Sequence, residues 1–190
     1  MPDQKDTVRQ TVYGYIPNSD REAADRRQIL DYLDSGRDAL TRDDSVAHFT
    51  ASAWVTDPAR GSVLMAYHNI YRSWAWLGGH ADGNGDLAAV AFREATEETG
   101  IDRLRFLCEG PVSLEVLNVS AHIKNGEIVS PHLHFNLTYL FEADPLLPLK
   151  VKEDENSAVG WRTEGQILAE TEEAQIIPVY AKLLAAMKRY

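Results

Sequence analysis

Residues 78–101 read GGHADGNGDLAAVAFREATEETGI, and the organisation of the chain follows from this segment. Its first eight residues include four glycines, a loop composition. Asp86 then stands where a helix N-cap belongs, the pattern from Leu87 to Thr99 is helical, and Gly100 supplies the glycine stop. Glu94, Glu97 and Glu98 are spaced i, i+3 and i+4, which puts three carboxylates within about 100° of one helix face. Like charges this close cost a helix a few tenths of a kcal/mol per pair, so a positive group should sit among them. Carboxylates beside a glycine-rich loop suit a hard cation, Mg²⁺ or Mn²⁺, that takes oxygen ligands. The bland alternative is a solvated acidic helix face. Ala88, Phe92 and Ala95 form the stripe expected to face the core. Arg93, beside the cluster, is placed to hold one glutamate by a charge-assisted bond.

Outward from this segment the periodicity changes to two. HFTASAWV (48–55) alternates Phe49, Ala51, Ala53 and Val55 with His48, Thr50, Ser52 and Trp54, and reads as a strand. A turn at 57–61 leads to a second strand from Ser62 to Tyr67, and Tyr71 to Leu77 reads as a short third. Beyond the helix, Leu104–Cys108, Val112–Ile123 and Ile128–Phe141 read as strands, the last two joined at Asn125-Gly126, a strong hairpin signal. Ala158–Arg162 gives a final strand, and a helix spans Glu173–Tyr190 with Pro178 near its first turn. The charged segment Arg21–Leu40 fits an amphipathic helix. The fold class is therefore α/β, a sandwich with a mixed sheet. It divides into an N-terminal helical extension (1–43) and one catalytic-sized domain (44–190).

Composition narrows the function. The 190 residues carry a formal net charge of −10, so no overall field attracts nucleic acid or anionic lipid, and any phosphate must be met by local basic groups or by metal. A single cysteine, Cys108, allows no internal disulfide, and no apolar run approaches the ~20 residues of a membrane span. A cytoplasmic protein is expected.

The segment resembles the Nudix box, G-x5-E-x7-R-E-U-x-E-E-x-G-U with U aliphatic. Gly79, Arg93, Glu94, Glu97, Glu98, Gly100 and Ile101 match in register. Ala95 is small for its aliphatic slot, and Gly85 stands where the first glutamate belongs. HNIYRSWAWLGGHADG (68–83) is also similar to a group of bacterial Nudix proteins with an N-terminal extension. The resemblance implies a Nudix-type α/β/α sandwich and metal-dependent hydrolysis of a diphosphate linkage, in a nucleoside diphosphate derivative or related compound. It implies Mg²⁺ or Mn²⁺ on Glu94, Glu97, Glu98 and the carbonyl of Gly79, with a water attacking phosphorus. The base is then a box glutamate, Glu97 among them, or a carboxylate from the run Glu153-Asp154-Glu155, of which Glu155 is favoured. Arg93 completes the catalytic set. Family members are often homodimers, which makes a homodimer the suggested assembly; the partner is a small diphosphate compound, not a nucleic acid polymer or a membrane. Restoring glutamate at Gly85 should raise activity or metal affinity unless Asp86, one residue later, fills the role.

Other residues carry two readings each. His80, directly after Gly79, is a phosphate contact or a loop residue, and Arg72, Arg60 and His68 are the nearby positive charges or surface groups. PHLHFNLTY (131–139) places His132 and His134 on one strand face, either as substrate contacts, as ligands for a metal softer than Mg²⁺, or as a hydrogen-bonded polar face. Trp74 and Trp76 pack in the core or stack a base. Two other functions compete: a non-catalytic Nudix-like binding domain, and an isomerase like isopentenyl-diphosphate isomerase. Cys108 beyond the box and the nearly whole glutamate set argue against the isomerase.

Overall fold

The structure, a computed structural model, describes residues 3–69, 72–124 and 126–190. Asn125 of the expected turn and Tyr71 of the expected third strand lie outside them. The elements run α1 (Gln4–Gly14), α2 (Asp20–Asp34), β1 (Ala47–Thr56), β2 (Ser62–His68), β3 (Ser73–Ala75), β4 (Leu77–His80), α3 (Leu87–Thr99) and β5 (Arg105–Phe106). They continue with β6 (Ser113–Val119), β7 (His122–Lys124), β8 (Glu127–Val129), β9 (His132–Glu142), β10 (Asn156–Thr163), α4 (Glu164–Glu170) and α5 (Ile177–Met187). The main sheet has the order β10-β2-β1-β9-β5, with β3 pairing β2, β4 pairing β1 and β6 pairing β9; β7 and β8 form a separate hairpin. This is the expected α/β class with a large mixed sheet.

Several boundaries differ from the sequence reading, each for a physical reason. Two helices occupy the extension; α1 escapes detection because its apolar side is only Val8 and Val12, both fully buried. The single strand expected over Val112–Ile123 is two, and α4 separates β10 from the C-terminal helix, which starts at Ile177 with Pro178 in its first turn. All ten residues of β1 are buried, so its alternation separates two packed faces and not a core from solvent.

The chain forms two compact units. One comprises Met1–Ala51, Gly79–Val90 and Ser113–Leu137; the other comprises Ser52–Gly78, Ala91–Val112 and Thr138–Tyr190. In the first, α2 is tied to β6 by the Asp25 carboxylate, which accepts the Val116 N–H at 3.2 Å. Arg26 of α2 donates to the carbonyls of Val12 and Tyr13 at the end of α1, where the helix dipole favours a cation. Buried Asp44 accepts from the Tyr32 hydroxyl at 2.8 Å, from Arg37 Nε and Nη2 at 2.9 and 2.8 Å, and from Val46 N–H at 3.0 Å. The Arg37 guanidinium, aided by these donors, holds the Asp44 carboxyl well below the usual carboxylate range. Asp44→Ala strands these donors and is expected to cost roughly 1–3 kcal/mol, read by urea denaturation. The second unit is built around Trp54, Met65, Leu140, Tyr180, Leu183 and Met187, with Trp54 and Tyr180 rings 5.4 Å apart.

Candidate active site

The helix that carries the carboxylates starts and stops where the sequence places it. The Asp86 side chain accepts the Ala89 N–H at 3.0 Å, and Gly100 ends the helix at φ +73°, a conformation that favours glycine. The buried positions of α3 are Leu87, Val90, Ala91, Ala95, Glu98 and Thr99, whereas Ala88 and Phe92, expected to face the core, are only half-buried. The core-facing stripe therefore runs through Glu98. The three glutamates do not share one solvated face: Glu98 is 5% exposed, Glu94 is largely covered, and the Glu97 side chain is 47% exposed.

Glu98 is held by two donors. The Gly78 N–H reaches one carboxyl oxygen at 3.1 Å and the Asn156 side-chain amide the other at 3.3 Å. Burial pushes its pKa up to about 8, with the charges of Glu94 and Glu155 adding and the two hydrogen bonds opposing. The Asn156 Oδ1 is itself buried without a partner. Cations stand instead beside Glu94, Glu97 and Glu155. Arg93 Nη2 bonds Glu94 at 2.7 Å and its Nε lies 3.8 Å from Glu97. Lys152 Nζ lies 3.0 Å from Glu155 and 3.7 Å from Glu97. Lys152 thus joins Glu155 of the acidic run to Glu97 of the helix, and Glu153, Asp154 and Glu155 are all exposed. Lys152 and Asn156 were not singled out in the sequence; their only signal was their place beside Glu155.

The chemistry of these donors suits a divalent cation, although among the described residues the group of three or more ligand atoms gathered within 4.8 Å is made of histidines and not of these carboxylates. Glu94, Glu97, Glu98 and Glu155 offer carboxylate oxygens, and buried Glu98 has only neutral donors to meet its charge, the condition a hard cation corrects. Lys152→Met removes a competing charge from two half-exposed carboxylates. It should change stability by less than about 1 kcal/mol and raise Mg²⁺ or Mn²⁺ affinity several-fold by titration calorimetry.

The histidines gather separately. His48 of β1, His80 at the end of β4, and His132 and His134 at the start of β9 form one cluster, with ring centroids 4.8–5.0 Å apart in five pairs. His122 of β7 stands 6.3 Å from His132. The structure therefore brings His80 to His132 and His134, and His48 of β1 joins them. Of the other candidates, Arg72 sits in the turn before β3 at φ +53° with an exposed side chain. Arg60 is bound at 2.7 Å to Glu142, so it pins the hairpin. Trp74 and Trp76 pack against the core of the second unit, Trp74 with the Arg162 guanidinium 3.5 Å above its ring. Cys108 is half-buried against the same core, and burial raises its thiol pKa.

The NUDIX domain profile matches residues 46–183. The chain belongs to the Nudix family. No curated protein matches the sequence. Among solved structures, the chain is similar to a C. elegans Ap4A hydrolase, with 15% identity, a TM-score of 0.53, and coverage of 75% of this chain and 98% of that one. It is also similar to the E. coli dihydroneopterin triphosphate pyrophosphohydrolase, with 14% identity, a TM-score of 0.54, and coverage of 72% and 94%. A third is the Nudix hydrolase RenU from M. smegmatis, at 16% identity, a TM-score of 0.54, and coverage of 75% and 86%. At these identities the likeness is one of fold.

The Nudix box departs from its pattern at Gly85, and the structure supplies the reason. The Gly85 N–H donates to the Gln4 side chain at 2.6 Å, and a Cβ built on Gly85 would overlap the Gln4 carbonyl oxygen and lie 2.8 Å from its carbon. The first turn of α1 fills the space that a box glutamate would need. One carboxylate oxygen of Asp86, the neighbouring acid, is engaged at the start of α3, where it accepts the Ala89 N–H.

Proposed function

We propose that this Nudix protein is a metal-dependent diphosphohydrolase acting on a small nucleotide-like compound. The support for the reading is the chain of ion pairs that links Glu94 and Glu97 through Arg93 and Glu97 and Glu155 through Lys152, on the helix that also carries Glu98, buried against the Gly78 N–H and the Asn156 amide. A divalent cation, Mg²⁺ or Mn²⁺, held by Glu94, Glu97, Glu98 and the Gly79 carbonyl, would neutralise phosphate charge and acidify a water.

The chain's own groups do the rest. Arg93 fixes the Glu94 carboxylate, and the Gly78 N–H and Asn156 fix both oxygens of Glu98, so neither must reorganise when substrate arrives. Glu155, with Glu97 as the other carboxylate on Lys152, is the proposed base. It takes the proton of the attacking water as the new P–O bond forms and the bridging P–O bond breaks. Arg72, exposed and cationic, is the proposed contact to the outer phosphate. His80, His132 and His134 are the other candidate substrate contacts, and of these burial and the neighbouring rings drive the His134 pKa far below the ordinary imidazole range. A neutral ring does not hold a polyanion by charge.

The test is release of phosphate and pyrophosphate across nucleoside triphosphates, dinucleoside polyphosphates and nucleotide sugars, with Mg²⁺, Mn²⁺ or EDTA. Turnover of at least one compound that chelation abolishes and Mg²⁺ or Mn²⁺ restores is expected. Silence across the panel with ligand binding retained would favour a binding domain.

A further inference from the structure

We propose that His48, His80 and His134 form a binding site for a borderline divalent transition ion of the Zn²⁺ type, with His132 orienting His134. This donor set shares no residue with the carboxylates of the box. One ring nitrogen from each of the three lies within 4.8 Å of those of the other two. A point between them is then at most about 2.8 Å from each, so side-chain shifts under about 1 Å reach the ~2.0–2.1 Å of a zinc–nitrogen bond.

The hydrogen bonds of the cluster decide which nitrogens carry lone pairs. His48 Nδ1 lies 3.3 Å from the Asp44 carbonyl oxygen, which only accepts, so Nδ1 carries the hydrogen and Nε2 the lone pair. That Nε2 is buried without a partner, on a residue 5% exposed. Leaving a buried acceptor unsatisfied is costly, and an ion at this point removes the cost. His132 repeats the arrangement: Nδ1 donates to the Ser130 carbonyl at 2.9 Å, which leaves Nε2 to accept from His134 Nε2 at 3.2 Å. The His134 lone pair then sits on Nδ1. An imidazole whose far nitrogen is tied to a carbonyl or another acceptor is the arrangement that fixes tautomer and ring angle in metal-binding histidines.

The electrostatics agree with this geometry. Burial, followed by His80, His48, His132 and His122, lowers the His134 pKa, and burial lowers that of His48. Both rings are neutral near pH 7, the form in which imidazole binds metal. Nitrogen donors select Zn²⁺, Co²⁺ or Ni²⁺ over Mg²⁺, whose ligands are oxygens. Three protein ligands leave a fourth position for water or an anionic oxygen, as catalytic and not structural zinc sites do.

The test does not depend on activity. Metal-stripped full-length protein is titrated with Co²⁺ and followed by visible absorption, with Zn²⁺ competition and metal content by mass spectrometry. With millimolar Mg²⁺ present to occupy the carboxylates, one tightly bound Co²⁺ per chain is expected to give the intense bands of tetrahedral nitrogen coordination, displaced by Zn²⁺. His80→Asn and His134→Asn should each weaken binding at least 100-fold. His132→Asn should weaken it roughly 10–100-fold at unchanged stoichiometry. Glu98→Gln should retain both bands and affinity, which keeps failure here distinguishable from failure of the hydrolase reading. Circular dichroism of the His80→Asn variant, altered at a half-buried strand end, guards against misfolding as the cause of loss. Absence of the bands in folded wild-type protein, indifference to His80→Asn, or loss in Glu98→Gln would each overturn the site.

Discussion

Glu98→Gln is expected to lower metal-dependent turnover about 10³-fold or more while leaving the stability of the metal-free protein within about 1 kcal/mol of wild type. The first half follows from the ligand role: losing roughly 4 kcal/mol of charge stabilisation at the reacting phosphate is a thousandfold in rate. The second half follows from the partners of Glu98. A glutamine offers one acceptor and one donor where the carboxylate offers two acceptors, so one of the two bonds from Gly78 and Asn156 is lost if nothing else changes. The Asn156 Oδ1 is buried without a partner, and a flip of that amide lets it accept from the new glutamine while the Gly78 N–H keeps its acceptor. The neutral side chain also avoids the burial penalty that pushes the Glu98 pKa up. Initial rates on whichever compound turns over, together with urea denaturation without metal, check both halves. A rate within a few-fold of wild type would remove Glu98 from the site, and a loss of several kcal/mol would make its role structural.

What the sequence made legible was local. Glu94, Glu97 and Glu98 could be placed together because helical spacing alone relates them, and Asp86 and Gly100 mark the ends of their helix by capping chemistry. The groups that complete the sites come from far along the chain. Lys152 and Asn156 lie over fifty residues beyond Glu98, and no periodicity connects them to it. His48 and His134 are related only by strand pairing, of which the hydrogen bond from Leu133 N to the Val46 carbonyl is one rung. The burial of Glu98 was misjudged for a related reason. A helical wheel orders residues around an axis but does not say where the core boundary falls, and here that boundary passes beyond the aliphatic stripe to include a carboxylate.

Gly85→Glu reverses its sequence-based expectation for a reason that also explains the extension. Read as a missing box residue, the glycine invites repair; built in place, any side chain meets the Gln4 backbone, which cannot swing aside as a side-chain tip would. The alternatives are displacement of the first turn of α1 or distortion of the loop before α3, and overpacking of this kind costs about 1–3 kcal/mol. α1 is the element that yields, because only Val8 and Val12 anchor it in the core and its other ties are polar, including the Gln4–Gly85 bond itself. Gly85→Glu is therefore expected to release α1, with amide exchange over residues 4–14 rising about tenfold or more for each 1.4 kcal/mol lost, and to give no gain in turnover or metal affinity. Gly85→Ala should release it similarly, since the clash begins at Cβ. Hydrogen exchange measured by mass spectrometry on both variants decides the matter. Unchanged protection of α1 in Gly85→Ala would show that the loop adjusts instead, and a rise in turnover for Gly85→Glu with α1 still protected would restore the reading of Gly85 as a lost catalytic position.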